Sequence, residues 1–130
     1  MLTYEEILER VKSTVNGRDF GSVKTYESLF ALQQVPRFTF NILIDGVEIH
    51  KYSVSIQANE YVYCLPRKNC SSYTHVEIGF PSFETSESFI KKYAEDKANP
   101  LDTVYGYVPI EELALEIYDF CKKEMKRLSN

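Results

Sequence analysis

The sequence predicts an α+β fold, an antiparallel meander of four to five strands packed with N- and C-terminal helices. Three observations carry this expectation. Apolar residues recur at helical spacing over residues 4–15, switch to strict alternation over 38–44, and return to helical spacing over 110–128. The expected order is α-α-β-β-β-β-α-(β)-α, and 130 residues suit one domain spanning 1–130.

Thr3 followed by Glu6 is a capping box, in which each side chain satisfies an orphan amide at a helix start. Tyr4, Ile7, Leu8, Val11 and Val15 continue that helix until Asn16-Gly17 stops it. A shorter helix is expected over residues 24–34, with Tyr26, Leu29 and Phe30 on one side and Pro36 beyond its end. In RFTFNILI, Phe38, Phe40, Ile42 and Ile44 share one face while Thr39 and Asn41 take the other.

Asp45-Gly46 marks a two-residue hairpin, because a type I′ turn needs positive φ at both central positions. The returning strand begins Val47, Ile49 and then changes phase to Tyr52, Val54, Ile56. A β-bulge near His50-Lys51 accounts for that slip. QANE reads as the next turn and YVYCL as a third strand. HVEIGF reads as a fourth strand, with Val76, Ile78 and Phe80 on the core side and Pro81 closing it.

Helix is expected again after residue 84, on a stripe of Phe89, Ile90, Tyr93 and Ala94, followed by the polar loop EDKANPLDT. TVYGYV is extended, and Pro109 suits the first turn of a last helix. That helix carries Ile110, Leu113, Ala114, Ile117, Cys121, Met125 and Leu128 on one stripe. Acidic residues begin it and basic residues end it, as the helix dipole favours.

Composition excludes several classes. The chain is 44% apolar and 26% charged, within the range of folded globular proteins. Its formal charge of −4 argues against binding to the nucleic-acid backbone and is compatible with a basic protein partner. No apolar stretch approaches the roughly 20 residues of a membrane helix, and the acidic start lacks a secretory pattern. Three cysteines at irregular spacing form no disulfide framework, so a reducing, cytoplasmic setting is expected.

The stretch NEYVYCLPRKNCSSYTH, residues 59–75, is the densest in reactive side chains. Cys64, Cys70 and His75 read C-x5-C-x4-H, without the tight two-to-four spacing of a zinc knuckle, so no metal is expected. Cys64 and Cys121 fall on apolar positions and are expected to be inert, whereas Cys70 lies in a polar loop with no assured basic partner. His75 and Glu77, two apart on a strand, share a face. They could work as an acid–base pair or simply form a polar row. No catalytic, phosphate-binding or cofactor motif appears, so no cofactor is expected and a binding role is favoured over an enzyme.

The remaining reading is recognition. If Val62 and Cys64 face the core, Tyr61 and Tyr63 lie on the open face beside His75 and Glu77, since buried tyrosine needs a partner for its hydroxyl. Tyr105 and Tyr107 would extend that patch if their segment joins the sheet. The competing placement packs these tyrosines beneath the N-terminal helices in a three-layer core.

Two functions follow. One is a protein-binding module acting by occlusion, in the manner of an inhibitor, immunity protein, antitoxin or secretion chaperone, which this size and layout broadly resemble. The other is a small-molecule or nucleotide binder, or a hydrolase, with its pocket over the open sheet face. The edge RFTFNILI, with one Arg and no internal Lys or Pro, is weakly defended, so a homodimer is also expected.

Overall fold

The computed structural model describes residues 1–129. Helices α1 (Tyr4–Val15) and α2 (Tyr26–Gln33), separated by a 3₁₀ turn at Phe20–Ser22, precede strands β1 (Phe38–Ile44), β2 (Val47–Gln57) and β3 (His75–Gly79). Helix α3 (Glu87–Tyr93), strand β4 (Val104–Pro109) and helix α4 (Ile110–Ser129) complete the chain. The four strands form one antiparallel sheet in sequence order, β1-β2-β3-β4, so the expected α+β meander with helices at both ends is present. None of the described helices is long and apolar enough to cross a membrane.

Local chemistry explains the well-formed parts. The Glu6 N–H donates to Thr3 Oγ1 at 3.1 Å and the Thr3 N–H donates to Glu6 Oε1 at 3.2 Å, closing the capping box. Asp45 and Gly46 have φ of 51° and 78°, as the type I′ hairpin requires. Phe38, Phe40, Ile42, Val54, Ile56, Val76 and Ile78 bury one sheet face against Ile7 and Val11 of α1 and Leu113, Ala114 and Ile117 of α4. Phe40, Phe83 and Phe120 pack edge-on or tilted, with centroids 5.0–6.2 Å apart, and fill the outer end of that layer.

Three expectations are corrected. YVYCL is not a strand: after β2 ends, only Leu65 bridges His75, and residues 58–74 form a loop. The reason is Asn59, whose Oδ1 accepts the Tyr61 N–H at 2.8 Å and bends the chain before a ladder can start. TVYGYV supplies the fourth strand instead.

Phe80, expected in the core, has φ of 50° and turns out to solvent, and Phe83 takes the buried place. The bulge sits one residue earlier than expected. Pairing passes from Ile42–His50 to Leu43–Glu48 and leaves Ile49 without an opposite residue.

Candidate functional site: an exposed aromatic band

The 58–74 loop is fastened by polar groups. Arg18, just past α1, donates to the carbonyls of Val15 at 3.0 Å, Leu32 at 3.2 Å, Gln33 at 3.4 Å and Ala58 at 2.5 Å. One guanidinium thus ties the end of α2 to the end of β2. It also lies over the rings of Phe20 and Tyr73, at 5.1 and 5.6 Å. Burial pulls its pKa below the usual guanidinium value.

Further bonds complete the fastening. Gln33 Nε2 and the Glu60 N–H both donate to Asn69 Oδ1, the Tyr73 N–H donates to Asn16 Oδ1, and the Gly17 N–H donates to the Ser71 carbonyl. Burial pushes the Tyr73 phenol up to about 12, and its hydroxyl donates to the Lys68 carbonyl.

This fastening leaves large apolar side chains outside. Gln33 is the buried residue of α2, while Tyr26 is 80% exposed, Phe30 61% and, on the loop, Tyr61 64%. These three line a groove of about 400 Å³ with Leu29 and Val62. Arg67 continues the surface: its Nη2 donates to the Tyr61 carbonyl at 3.3 Å, and its guanidinium lies 5.2 Å from the Tyr63 ring centroid. The Tyr63 and Tyr107 rings follow, with centroids 5.7 Å apart.

Tyr63 is fixed at its backbone. Its N–H donates to Glu77 Oε2 at 3.0 Å, and its carbonyl accepts the Tyr107 N–H at 2.9 Å. Gly106 permits the approach, because a Cβ there would stand 3.1 Å from Tyr63 Cβ.

Tyr107 has φ of 53°, the left-handed region that costs a bulky residue about 1–3 kcal/mol. That conformation makes a bulge, since pairing jumps from Ile78–Tyr105 to Val76–Val108. Tyr105 and Val108 therefore both face the core, and Tyr107 is turned outward.

The expected site residues thus divide. Tyr61, Tyr63 and Tyr107 are exposed, Tyr61 in the groove beside α2 and Tyr63 against Tyr107, with Arg67 between Tyr61 and Tyr63. The Glu77 carboxylate holds the Tyr63 N–H from the half-buried polar face of β3. His75 lies on the same face of β3, with Nδ1 2.8 Å from Thr74 Oγ1. Tyr105 does not belong to the band: it is fully buried, and its hydroxyl donates to the Pro100 carbonyl at 2.7 Å and lies 2.9 Å from Thr85 Oγ1. Its assignment as a surface residue assumed unbroken alternation, which the bulge removes. Tyr26 and Phe30 were missed because apolar residues at helical spacing ordinarily face inward.

Reactive groups are otherwise engaged. Cys64 is buried, its thiol donates to the Asn59 carbonyl at 3.1 Å, and burial raises its pKa. Burial takes Cys121 up to about 11, and Cys70 is half-buried. Among the described residues, no three His, Cys, Asp or Glu side chains are grouped to hold a metal ion.

A cleft of about 620 Å³ between α3 and α4 is lined by five carboxylates, but three are used structurally. Glu116 accepts the Ser86 N–H and hydroxyl at the start of α3, Glu112 the Tyr93 hydroxyl, and Glu124 the Tyr52 hydroxyl and Arg127. No protein-family model, curated protein or solved structure matches this chain.

Proposed function

We propose that this protein is a non-catalytic, cytoplasmic protein-binding module that acts by covering a surface of its partner, in the manner of an inhibitor, immunity protein, antitoxin or secretion chaperone. The observation that carries this reading is the band Tyr26–Phe30–Tyr61–Tyr63–Tyr107, crossed by Arg67. Monomeric surfaces seldom expose contiguous large apolar groups, and Tyr, Phe and Arg are the residues enriched at protein interfaces. Rigid rings at fixed backbone positions lose little entropy on contact, so binding needs little reorganisation. The net charge of −4 favours a basic partner.

The small-molecule alternative needs Tyr61, Tyr63, His75 and Glu77 to converge. Here Tyr61 turns to the α2 groove while Tyr63 lies against Tyr107, which favours a broad contact surface over a pocket.

Affinity capture from host lysate with the wild-type chain and with Tyr26→Ser/Phe30→Ser/Tyr61→Ser in parallel tests the proposal. A stoichiometric protein retained by the first and lost by the second is expected. Equal retention by both, or by neither, would overturn it.

A further inference from the structure

Tyr26 and Phe30 stand one helical turn apart on α2, and Tyr61 meets them from the loop across a groove of about 400 Å³. The faces of these three rings are unused. Among the described residues, none of them packs on another aromatic ring or lies beneath a Lys or Arg side chain.

Other rings of the chain are covered by a guanidinium. Arg10 lies over Phe38 at 4.8 Å, Arg18 over Phe20 at 5.1 Å and Arg67 over Tyr63 at 5.2 Å. A guanidinium suits such rings because it is planar, weakly hydrated and attracted by the negative ring face.

The charge beside the groove has one sign. No charged side chain lines it among the described residues. Glu60 borders it: a hydrogen bond to the Glu60 carboxylate, then that charge and the nearby Tyr26 phenol, hold the Tyr61 phenol above its ordinary value. One carboxylate and two phenols therefore share a neighbourhood. Glu27, exposed, lies one turn before Phe30. The guanidinium groups nearby are engaged, Arg18 on four carbonyls and Arg67 on the Tyr61 carbonyl and the Tyr63 ring.

We propose that this groove takes an arginine side chain of the partner protein, its guanidinium laid among Tyr26, Phe30 and Tyr61 and donating to the Glu60 carboxylate. The site rests on the protein-binding reading above and fixes what the partner presents at the α2 end of the band. Five donors in one plane let a guanidinium stack on a ring and bond a carboxylate at once. An ammonium, compact and strongly hydrated, gains less from ring faces, so lysine is the poorer occupant. An apolar side chain would take water from Glu60 and return no cation.

NMR titration of the whole chain with blocked Gly-Arg-Gly, Gly-Lys-Gly and Gly-citrulline-Gly at low salt tests this, because citrulline keeps the shape of arginine without its charge. Saturable shifts of the Tyr26, Phe30 and Tyr61 ring signals are expected from the arginine peptide, with clearly weaker binding of the other two. Phe30→Leu keeps apolar bulk but removes a ring face and should weaken arginine binding roughly two- to fivefold. Glu60→Gln should weaken it by up to about fivefold.

Absent ring shifts would overturn the proposal, as would lysine or citrulline peptides binding as tightly as arginine. Arginine binding unchanged in both variants would overturn it too. A protein captured by the wild-type chain and lost by the triple Ser variant, with no ring shifts from the arginine peptide, would leave the protein-binding reading standing and sink this site alone. Ring shifts specific to the arginine peptide, with no protein captured, would support the site and overturn that reading.

Discussion

Helix α4 turns Ile110, Leu113, Ala114, Ile117 and Cys121 inward, whereas α2 turns Gln33 inward and leaves Tyr26 and Phe30 in solvent. Both are regular helices of one chain, but different forces hold them. α4 is held by apolar burial against α1 and the sheet, the usual source of helix stability in proteins. α2 is held by hydrogen bonds, from Arg18 to the Leu32 and Gln33 carbonyls and from Gln33 to Asn69. A helix fastened through its polar groups keeps its aromatic face free for another molecule. The same arrangement recurs in the loop, where Asn59, Asn69 and Tyr73 take the backbone bonds and Tyr61 and Tyr63 stay outside.

The largest effect should come from the apolar side of this contrast. Ile117 is fully buried, and Ile117→Ala should lower unfolding free energy by about 2–5 kcal/mol in urea titrations. A loss below about 1 kcal/mol would mean that α4 does not organise the core.

Arg18→Met keeps most of the side-chain length and removes the donors for four carbonyls. It should cost about 2 kcal/mol and accelerate amide exchange in residues 26–34 well beyond that in α4. Unchanged exchange in α2 would show that apolar packing, not the guanidinium, fastens it.

A smaller effect should appear in alkali. Burial is the main cause that takes Tyr73, under Arg18, and Tyr93, beside α4, up to about 12, with the bond to Glu112 adding to the rise at Tyr93. The unfolded phenols ionise near 10 while the folded ones keep their protons. This contribution is therefore complete below pH 10 and is lost as pH rises from about 10 to 12. Cys121, raised to about 11, acts in the same sense from about pH 9. Urea midpoints should fall across that range, and flat midpoints up to pH 12 would contradict the burial of these groups.

The parts of the fold set by neighbouring residues were legible in the sequence. The Thr3–Glu6 box, the Asp45-Gly46 turn and the stripe of α4 each depend on local spacing, and all three are present. The misread parts depend on one residue overriding a pattern. Asn59 bends the chain where YVYCL has strand-like composition, and left-handed Phe80 turns outward where alternation would bury it. The bulge at left-handed Tyr107 buries Tyr105, which alternation would keep on the same exposed face as Tyr107. The hydroxyl argument placed Tyr61 and Tyr63 outside although their segment is a loop. The aromatic face of α2 was not readable, because its exposure depends on Arg18 and Gln33 finding partners 14 to 40 residues away.

The most direct test of the central claim asks whether the aromatic band has a structural duty. Chemical denaturation of Tyr26→Ser/Phe30→Ser/Tyr61→Ser measures this, since serine, tyrosine and phenylalanine have similar helix propensities. If the band is reserved for a partner, the unfolding free energy should stay within about 0.5 kcal/mol of wild type. A loss of about 2 kcal/mol or more would place these rings in the fold's own packing and remove the proposed binding surface.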